Sequence, residues 1–324
     1  MPRVVLSAFP MIDPEIHREV LDAAVGGPVE IAVAELGSTD RLVEAATGAD
    51  VVVTDIDTPV TADALDRLDL RAVVRSAVGV DNIDVAAAAD HGVTVTRVPD
   101  YCTDEVATHS VALLFACLRS IATYDDAVAG GGWSWEAGRP IRRVSASTVG
   151  LLSFGPIARR AAAQLSGFDA DLVAYDPFVD ADEMAGYGVE KVDFDGLFDR
   201  ADHVGVYAPL TDATRGVVDA DALARLGEES VLVNVSRGPV VDADALLNAL
   251  ESGELKAAGL DVLAAEPPTD DPLVGREDTV ITPHAAWYSE DARDELNRSA
   301  AADVAAVLND ETPDGRVDPD ADWL

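Results

Sequence analysis

Thr148-Val149-Gly150-Leu151-Leu152-Ser153-Phe154-Gly155-Pro156-Ile157-Ala158 is the stretch on which the reading of the fold turns. Thr148–Ser153 reads as a short apolar strand of the buried, parallel kind. A glycine turn follows, and Arg159-Arg160-Ala161-Ala162-Ala163-Gln164-Leu165 continues as a helix. Strand, glycine turn and helix N-terminus together suit a dinucleotide pyrophosphate, because the first N–H groups of a helix have no internal partner. The usual GxGxxG spacing is degenerate here. Ser153 stands for the first glycine and Ala158 for the third, while the central Gly155 is kept. Gly155 is the position where backbone must approach the pyrophosphate most closely. Ala158 suits helix–strand packing, and Ser153 is the departure that bears on cofactor affinity. Taken alone, the motif fits an ordinary βα turn better. The next strand ends at Asp176, 21 residues after Gly155 and just before Pro177. An acid there suits the ribose 2′-hydroxyl and repels a 2′-phosphate, which favours NAD over NADP.

Outward from this unit the chain alternates short β-branched runs with helical patterns, so an α/β fold with parallel sheets is expected. Upstream, strands are expected at 3–8, 29–33, 51–54, 72–75 and 93–95, and helices at 15–25, 41–47, 62–68 and 85–90. Thr103–Ala127 reads as one long helix, with Thr103 as N-cap and Asp104 and Glu105 in its first turn. Gly130-Gly131-Gly132-Trp133-Ser134-Trp135 follows as a flexible stretch. Downstream, strands are expected at 148–153, 172–175, 203–206, 230–234, 257–260 and 280–282, with a last helix at Glu290–Leu308. The Asp/Pro-rich tail from Asn309 is expected to be loosely held unless Trp323 and Leu324 anchor it.

Composition limits the function classes. The 324 residues hold 60 Asp and Glu against 23 Lys and Arg, a formal charge of −37. Phosphate backbones and anionic membranes repel such a surface. The only lysines are Lys191 and Lys256, and the acids are spread along the whole chain. That pattern reads as adaptation to a salt-rich cytoplasm. The Debye length is about 30 Å at 0.01 M salt and about 3 Å at 1 M. The melting temperature should therefore rise between dilute buffer and molar potassium chloride; a flat response would contradict the halophilic reading. Cys102 and Cys117 have neither metal-ligand nor CxxC spacing, which fits reduced thiols in the cytoplasm. The first residues lack the pattern of a signal peptide, and the longest apolar run, Val111 to Leu118, is far short of the ~20 residues of a membrane span.

Three later segments each place polar residues just beyond an apolar strand, where open α/β sheets bind ligands. They are Val233-Asn234-Val235-Ser236-Arg237-Gly238-Pro239, Gly259-Leu260-Asp261-Val262 leading to Glu266-Pro267-Pro268, and Thr282-Pro283-His284-Ala285-Ala286. With Val78-Gly79-Val80-Asp81-Asn82-Ile83-Asp84, Val98-Pro99-Asp100-Tyr101, Ala208-Pro209-Leu210-Thr211 and Thr214-Arg215, they appear in an order that resembles the D-isomer-specific 2-hydroxyacid dehydrogenase family. The resemblance runs from about Val51 to Leu308. Asp100–Val106 and Trp287-Tyr288 look most like the C-terminal-binding-protein-like and phosphoglycerate-dehydrogenase-like branch.

The resemblance implies two doubly wound parallel-sheet domains with a cleft between them. One is a flavodoxin-like substrate domain, 1–102 and 291–324; the other is a Rossmann NAD-binding domain, 103–290. It implies an NAD-dependent oxidoreductase that interconverts a 2-oxo acid and a (D)-2-hydroxy acid. Arg237 would clamp the substrate carboxylate and polarise the oxo group, a task suited to a planar guanidinium. His284 would be the general acid–base, and Glu266 would hold its second ring nitrogen and fix the tautomer. Val78 and Gly79 match the loop whose backbone meets the substrate carboxylate. Gly155, Pro156, Ile157, Asp176, Ala208, Pro209, Thr214, Val235, Ser236, Arg237 and Asp261 match cofactor contacts, Asp261 at the nicotinamide carboxamide. No metal is expected. His17, His91, His109 and His203 read as structural or exposed. Thr108 stands where relatives commonly carry glutamate. Relatives also imply a homodimer through the nucleotide domain, to which Trp133 and Trp135 would contribute. With the chain ending at Leu324, a regulated phosphoglycerate enzyme is not expected. The rival reading is a dinucleotide-sensing, corepressor-like binding protein on the same fold. A formate-type dehydrogenase is disfavoured, because that branch pairs its histidine with glutamine and this chain has Glu266.

Overall fold

The computed structural model describes residues 1–321; Trp323 and Leu324 lie outside the described residues. The chain divides into two compact units, one formed by Met1–Cys102 with the chain from Ser289 on, the other by Thr103–Tyr288.

The first unit is built on five parallel strands: β1 (Arg3–Ser7), β2 (Glu30–Ala34), β3 (Val51–Thr54), β4 (Ala72–Arg75) and β5 (Thr94–Arg97). Their order is β2-β1-β3-β4-β5, the flavodoxin-like order. The central β3 and β4 are buried along their whole length, as expected of valine-rich runs with helices on both faces. The helix Glu290–Leu308 packs against the helix Pro14–Ala24. Buried Asn297 ties the two segments together. Its Oδ1 accepts from Asp13 N–H at 2.7 Å and its Nδ2 donates to Met11 O at 2.9 Å.

The tail is not loosely held as far as Val317. Arg316 bridges Thr96, Val317 N–H donates to Val95 O at 2.9 Å, and the Val317 side chain joins the core beside Val93 and Val95. One apolar residue among acids and prolines suffices, because it adds to the exposed edge of β5 and enters a core.

The second unit holds seven parallel strands: β6 (Thr148–Leu152), β7 (Asp171–Tyr175), β8 (Glu190–Lys191), β9 (His203–Val206), β10 (Val231–Asn234), β11 (Ala257–Leu260) and β12 (Thr279–Ile281). The order β12-β11-β10-β9-β6-β7-β8 puts β6 inside the sheet between β9 and β7, at the reversal point of a Rossmann sheet. The fold class is thus two parallel-sheet α/β units. The two-residue edge strand β8 escapes sequence reading because it is polar and shorter than any periodic signal.

The long helix expected at Thr103–Ala127 is instead two, Thr103–Leu118 and Ile121–Ala129, bent by 59°. The break lies at Ser120, whose φ of 51° is left-handed and whose hydroxyl donates to Gly138 O at 2.9 Å. Tertiary hydrogen bonding here overrides a continuous helical pattern. The first piece lies on β10 and β11, where Gly259 allows close approach; a Cβ there would lie 3.0 Å from that of Leu113. Among the described residues no single helix is long and apolar enough to cross a membrane.

Candidate active site

The phosphate-binding turn forms where β6 ends. Gly155 caps the helix Pro156–Leu165 without any side-chain hydrogen bond, and Pro156 takes the first helical position, where no N–H is needed. A Cβ on Gly155 would meet nothing within 4 Å, so the face above it is open. Ile157 continues the first turn, and Ala158 is fully buried beneath it. Asp176 stands at the end of β7, the strand next to β6, and is 6% exposed. An uncapped helix N-terminus, open space over a glycine and an acid at the neighbouring strand end together fit a dinucleotide.

Ala208 is buried in the loop after β9 and Pro209 is exposed. Thr214 fastens that loop: its hydroxyl donates to Pro209 O at 2.5 Å and accepts from Thr211 N–H at 2.8 Å. Val235 and Ser236 follow β10. The Oδ1 of buried Asn234 accepts from Ser236 N–H at 3.0 Å and from its hydroxyl at 2.9 Å, while Asn234 Nδ2 donates to Arg237 O at 3.0 Å. The backbone entering Arg237 is therefore held from within. Gly238 then passes so close to the next loop that a Cβ would collide with Leu263 O and lie 2.6 Å from Ala264 N. Only glycine permits that approach, which brings Arg237 to the segment carrying Glu266.

Glu266 and His284 meet there. His284 Nδ1 lies 2.7 Å from Glu266 Oε2, and Leu263 N–H donates to Glu266 Oε1 at 2.9 Å. Their side chains stay 26% and 34% exposed, so the pair faces solvent on one side. Burial by itself would raise the Glu266 pKa. The hydrogen bond and charge of His284, the Leu263 N–H and the Arg237 charge together outweigh it and hold the carboxyl below its ordinary 4.5.

Asp261, 2% exposed at the end of β11, sets the backbone of the histidine segment. Its Oδ1 accepts from the Thr282 hydroxyl at 2.6 Å and Ala285 N–H at 2.9 Å, and its Oδ2 from Ala286 N–H at 3.0 Å. His284 itself takes a left-handed φ of 52°, with its N–H donating to Asp261 O at 2.8 Å. A strained backbone at a titratable side chain points to a functional position.

Two residues have contacts that spacing does not reveal. His109 Nε2 lies 2.9 Å from Thr282 Oγ1 and 3.6 Å from Asp261 Oδ1, a structural contact with the histidine segment. The helix Thr103–Leu118 carries it to the histidine segment, a tertiary contact with no short-range signal. Thr108 accepts a hydrogen bond from Gln164 at 2.8 Å, which fastens that helix to the one after the glycine turn. His17 and His203 are buried, and burial lowers both to about 4. His91 bonds Asp66 at the surface. In the other unit, Val78 and Gly79 lie on the loop after β4, where Arg97 Nη1 donates to Val78 O at 3.2 Å. Among the described residues no cluster of His, Cys, Asp or Glu is placed to hold a metal ion.

The second sheet with its glycine turn and strand-end acid defines a dinucleotide-binding α/β protein. Residues 111–286 match the family profile described as D-isomer specific 2-hydroxyacid dehydrogenase, NAD binding domain. The chain is 36% identical over 287 residues to D-3-phosphoglycerate dehydrogenase of Mycobacterium leprae, covering 88% of this chain and 54% of that one. It is 33% identical over 258 residues to hydroxypyruvate reductase of Thermotoga maritima, covering 78% and 83%. The crystal structure of the TT0316 protein from Thermus thermophilus matches with a TM-score of 0.87 at 26% identity, covering 98% of this chain and 100% of that one. The chain belongs to the D-isomer-specific 2-hydroxyacid dehydrogenase family, and residues 111–286 are that family's NAD-binding domain. It spans about half the length of the phosphoglycerate dehydrogenases it matches.

Proposed function

We propose that the protein is an NAD-dependent oxidoreductase that interconverts a small 2-oxo acid and the corresponding (D)-2-hydroxy acid. The observation that carries this reading is the 2.7 Å pairing of His284 with Glu266, next to Arg237, beyond the carboxyl ends of β10 to β12. With Nδ1 directed at Glu266, Nε2 of His284 is the atom that gives a proton to the oxo oxygen during reduction and removes it in the reverse direction. Arg237 binds the substrate carboxylate and polarises the oxo group. Val78 and Gly79, on the loop after β4 of the first unit, are assigned to substrate binding through their backbone. Bound NADH supplies the hydride that reaches C2.

Gly155, Pro156 and Ile157 hold the pyrophosphate, and Asp176 the adenosine ribose. Ala208, Pro209, Thr214, Val235 and Ser236 line the path towards the nicotinamide. Asp261, which spends three acceptor positions on the histidine segment, has one left for the carboxamide. Because Asp176 repels a 2′-phosphate, NADH should be used far better than NADPH, and Asp176→Ala should narrow the gap. The ratio of kcat/KM for the two cofactors measures this; better use of NADPH by the unmutated protein would contradict the assignment.

A homodimer is supported by the apolar side chains beyond the helix break. Trp133 is 91% exposed and Trp135 69%, with Ile121 and Val128 also exposed. The two free cysteines fit a reducing cytoplasm.

A kinetic screen at high salt with NADH and glyoxylate, hydroxypyruvate, pyruvate, 3-phosphohydroxypyruvate and bulkier 2-oxo acids tests the activity. Turnover of at least one is expected. NADH binding without any turnover would favour the corepressor-like reading instead.

A further inference from the structure

Ser153, the residue in place of the first fingerprint glycine, makes contacts that change what Asp176 can offer a cofactor. It has a φ of 76°, in the left-handed region that glycine enters freely and serine does not. Its N–H donates to Tyr175 O at 2.8 Å, which fixes it beside the end of β7. Its hydroxyl donates to Asp176 Oδ2 at 3.0 Å. Phe154 N–H donates to the same oxygen at 2.8 Å, and Phe178 N–H donates to Oδ1 at 2.8 Å. An ionised carboxylate has about four acceptor positions. Three are filled by the protein, and the one left is on Oδ1. The adenosine ribose brings two neighbouring hydroxyl donors to this acid.

We propose that Ser153 is a positioning residue that loosens the grip on the cofactor: by filling Oδ2 it leaves Asp176 able to receive one ribose hydroxyl instead of two. The proposal rests on the reading of Asp176 as the ribose acid. On binding, the ribose therefore forms one hydrogen bond fewer with Asp176, which costs affinity. A residue with no hydroxyl at 153 removes that competition. The trade-off suits an enzyme that must release its cofactor each turnover, since product release often limits kcat.

The test is the dissociation constant of NADH, by titration calorimetry, for the wild-type protein, Ser153→Ala and Ser153→Gly, with melting temperatures alongside. Alanine keeps the strained φ and deletes only the hydroxyl, whereas glycine relieves both. Both variants should bind NADH roughly three- to tenfold more tightly, the equivalent of one recovered hydrogen bond. Analogues lacking the 2′- or the 3′-hydroxyl of the adenosine ribose give a second readout. In the wild type one deletion should weaken binding and the other should not; in both variants each deletion should. Ser153→Gly alone should raise the melting temperature. Unchanged or weaker binding by Ser153→Ala would overturn the proposal, as would tightening confined to Ser153→Gly, which would trace the effect to backbone strain. Failure of the folded wild type to bind NADH at all would overturn the ribose-acid reading itself, a result distinct from any ordering of the variants.

Discussion

His284→Gln should lower kcat by ~10²–10⁴-fold on the best oxo acid, the usual worth of a positioned acid–base group. Glutamine keeps a polar side chain of similar reach but cannot cycle a proton near neutral pH. NADH binding should change little, because the turn at Gly155 and the acid Asp176, to which we assign the pyrophosphate and the adenosine ribose, are untouched by the substitution. Glu266→Gln should behave differently. The amide no longer attracts a protonated ring, so the optimum for oxo-acid reduction should move to lower pH. In the unmutated protein the Glu266 carboxyl is held below 4.5, so on the acid side its contribution to the pairing is lost as pH falls through that lowered value. Initial rates across pH for the two variants check both statements. Near-normal turnover by His284→Gln would remove the acid–base assignment.

Gly238→Ala should cost at least ~10²-fold in kcat/KM, although it changes no reacting group. The new Cβ would collide with Leu263 O and Leu263 C, both backbone atoms that no rotamer change can clear. The loop of Arg237 and the loop of Glu266 must then part. A misplacement of about 1 Å in a positioned site is enough for a 10²-fold loss. Overpacking of this kind costs about 1–3 kcal/mol, so the melting temperature should fall as well. The glycine turn after β6 is untouched, and the dissociation constant for NADH should stay within a few-fold of the wild type. Steady-state kinetics with parallel calorimetry separates the two effects. An unchanged kcat/KM would mean that the close approach of these loops does not position the site.

The strands were legible wherever an apolar run is buried on both faces. Val51–Thr54, Ala72–Arg75, His203–Val206 and Ala257–Leu260 are apolar runs set off by turn residues, and they form strands with those bounds. What escaped depends on tertiary contact. Ser120 breaks a helix through a bond to Gly138, and Val317 pins an acidic tail through one side chain and one backbone bond. At the candidate site, residue types and order could be read, but the allocation of their atoms could not. Spacing finds Asp261 but not the three donors that occupy it, and it finds Asp176 but not Ser153 on its Oδ2. His109 carries no motif, and a helix 173 residues upstream in sequence brings it to Thr282. Such contacts join residues far apart in the chain and leave no periodic trace.

The most direct measurement of the central claim uses NADH deuterated at the transferable position of the nicotinamide ring. The protein, at high salt, converts the best oxo acid of the screen, and the product is analysed by mass and by chiral chromatography. The account predicts deuterium at C2 of a (D)-2-hydroxy acid, with one NADH consumed per product and the label transfer slowed in His284→Gln. A folded protein that binds deuterated NADH yet transfers no label to any 2-oxo acid would contradict it.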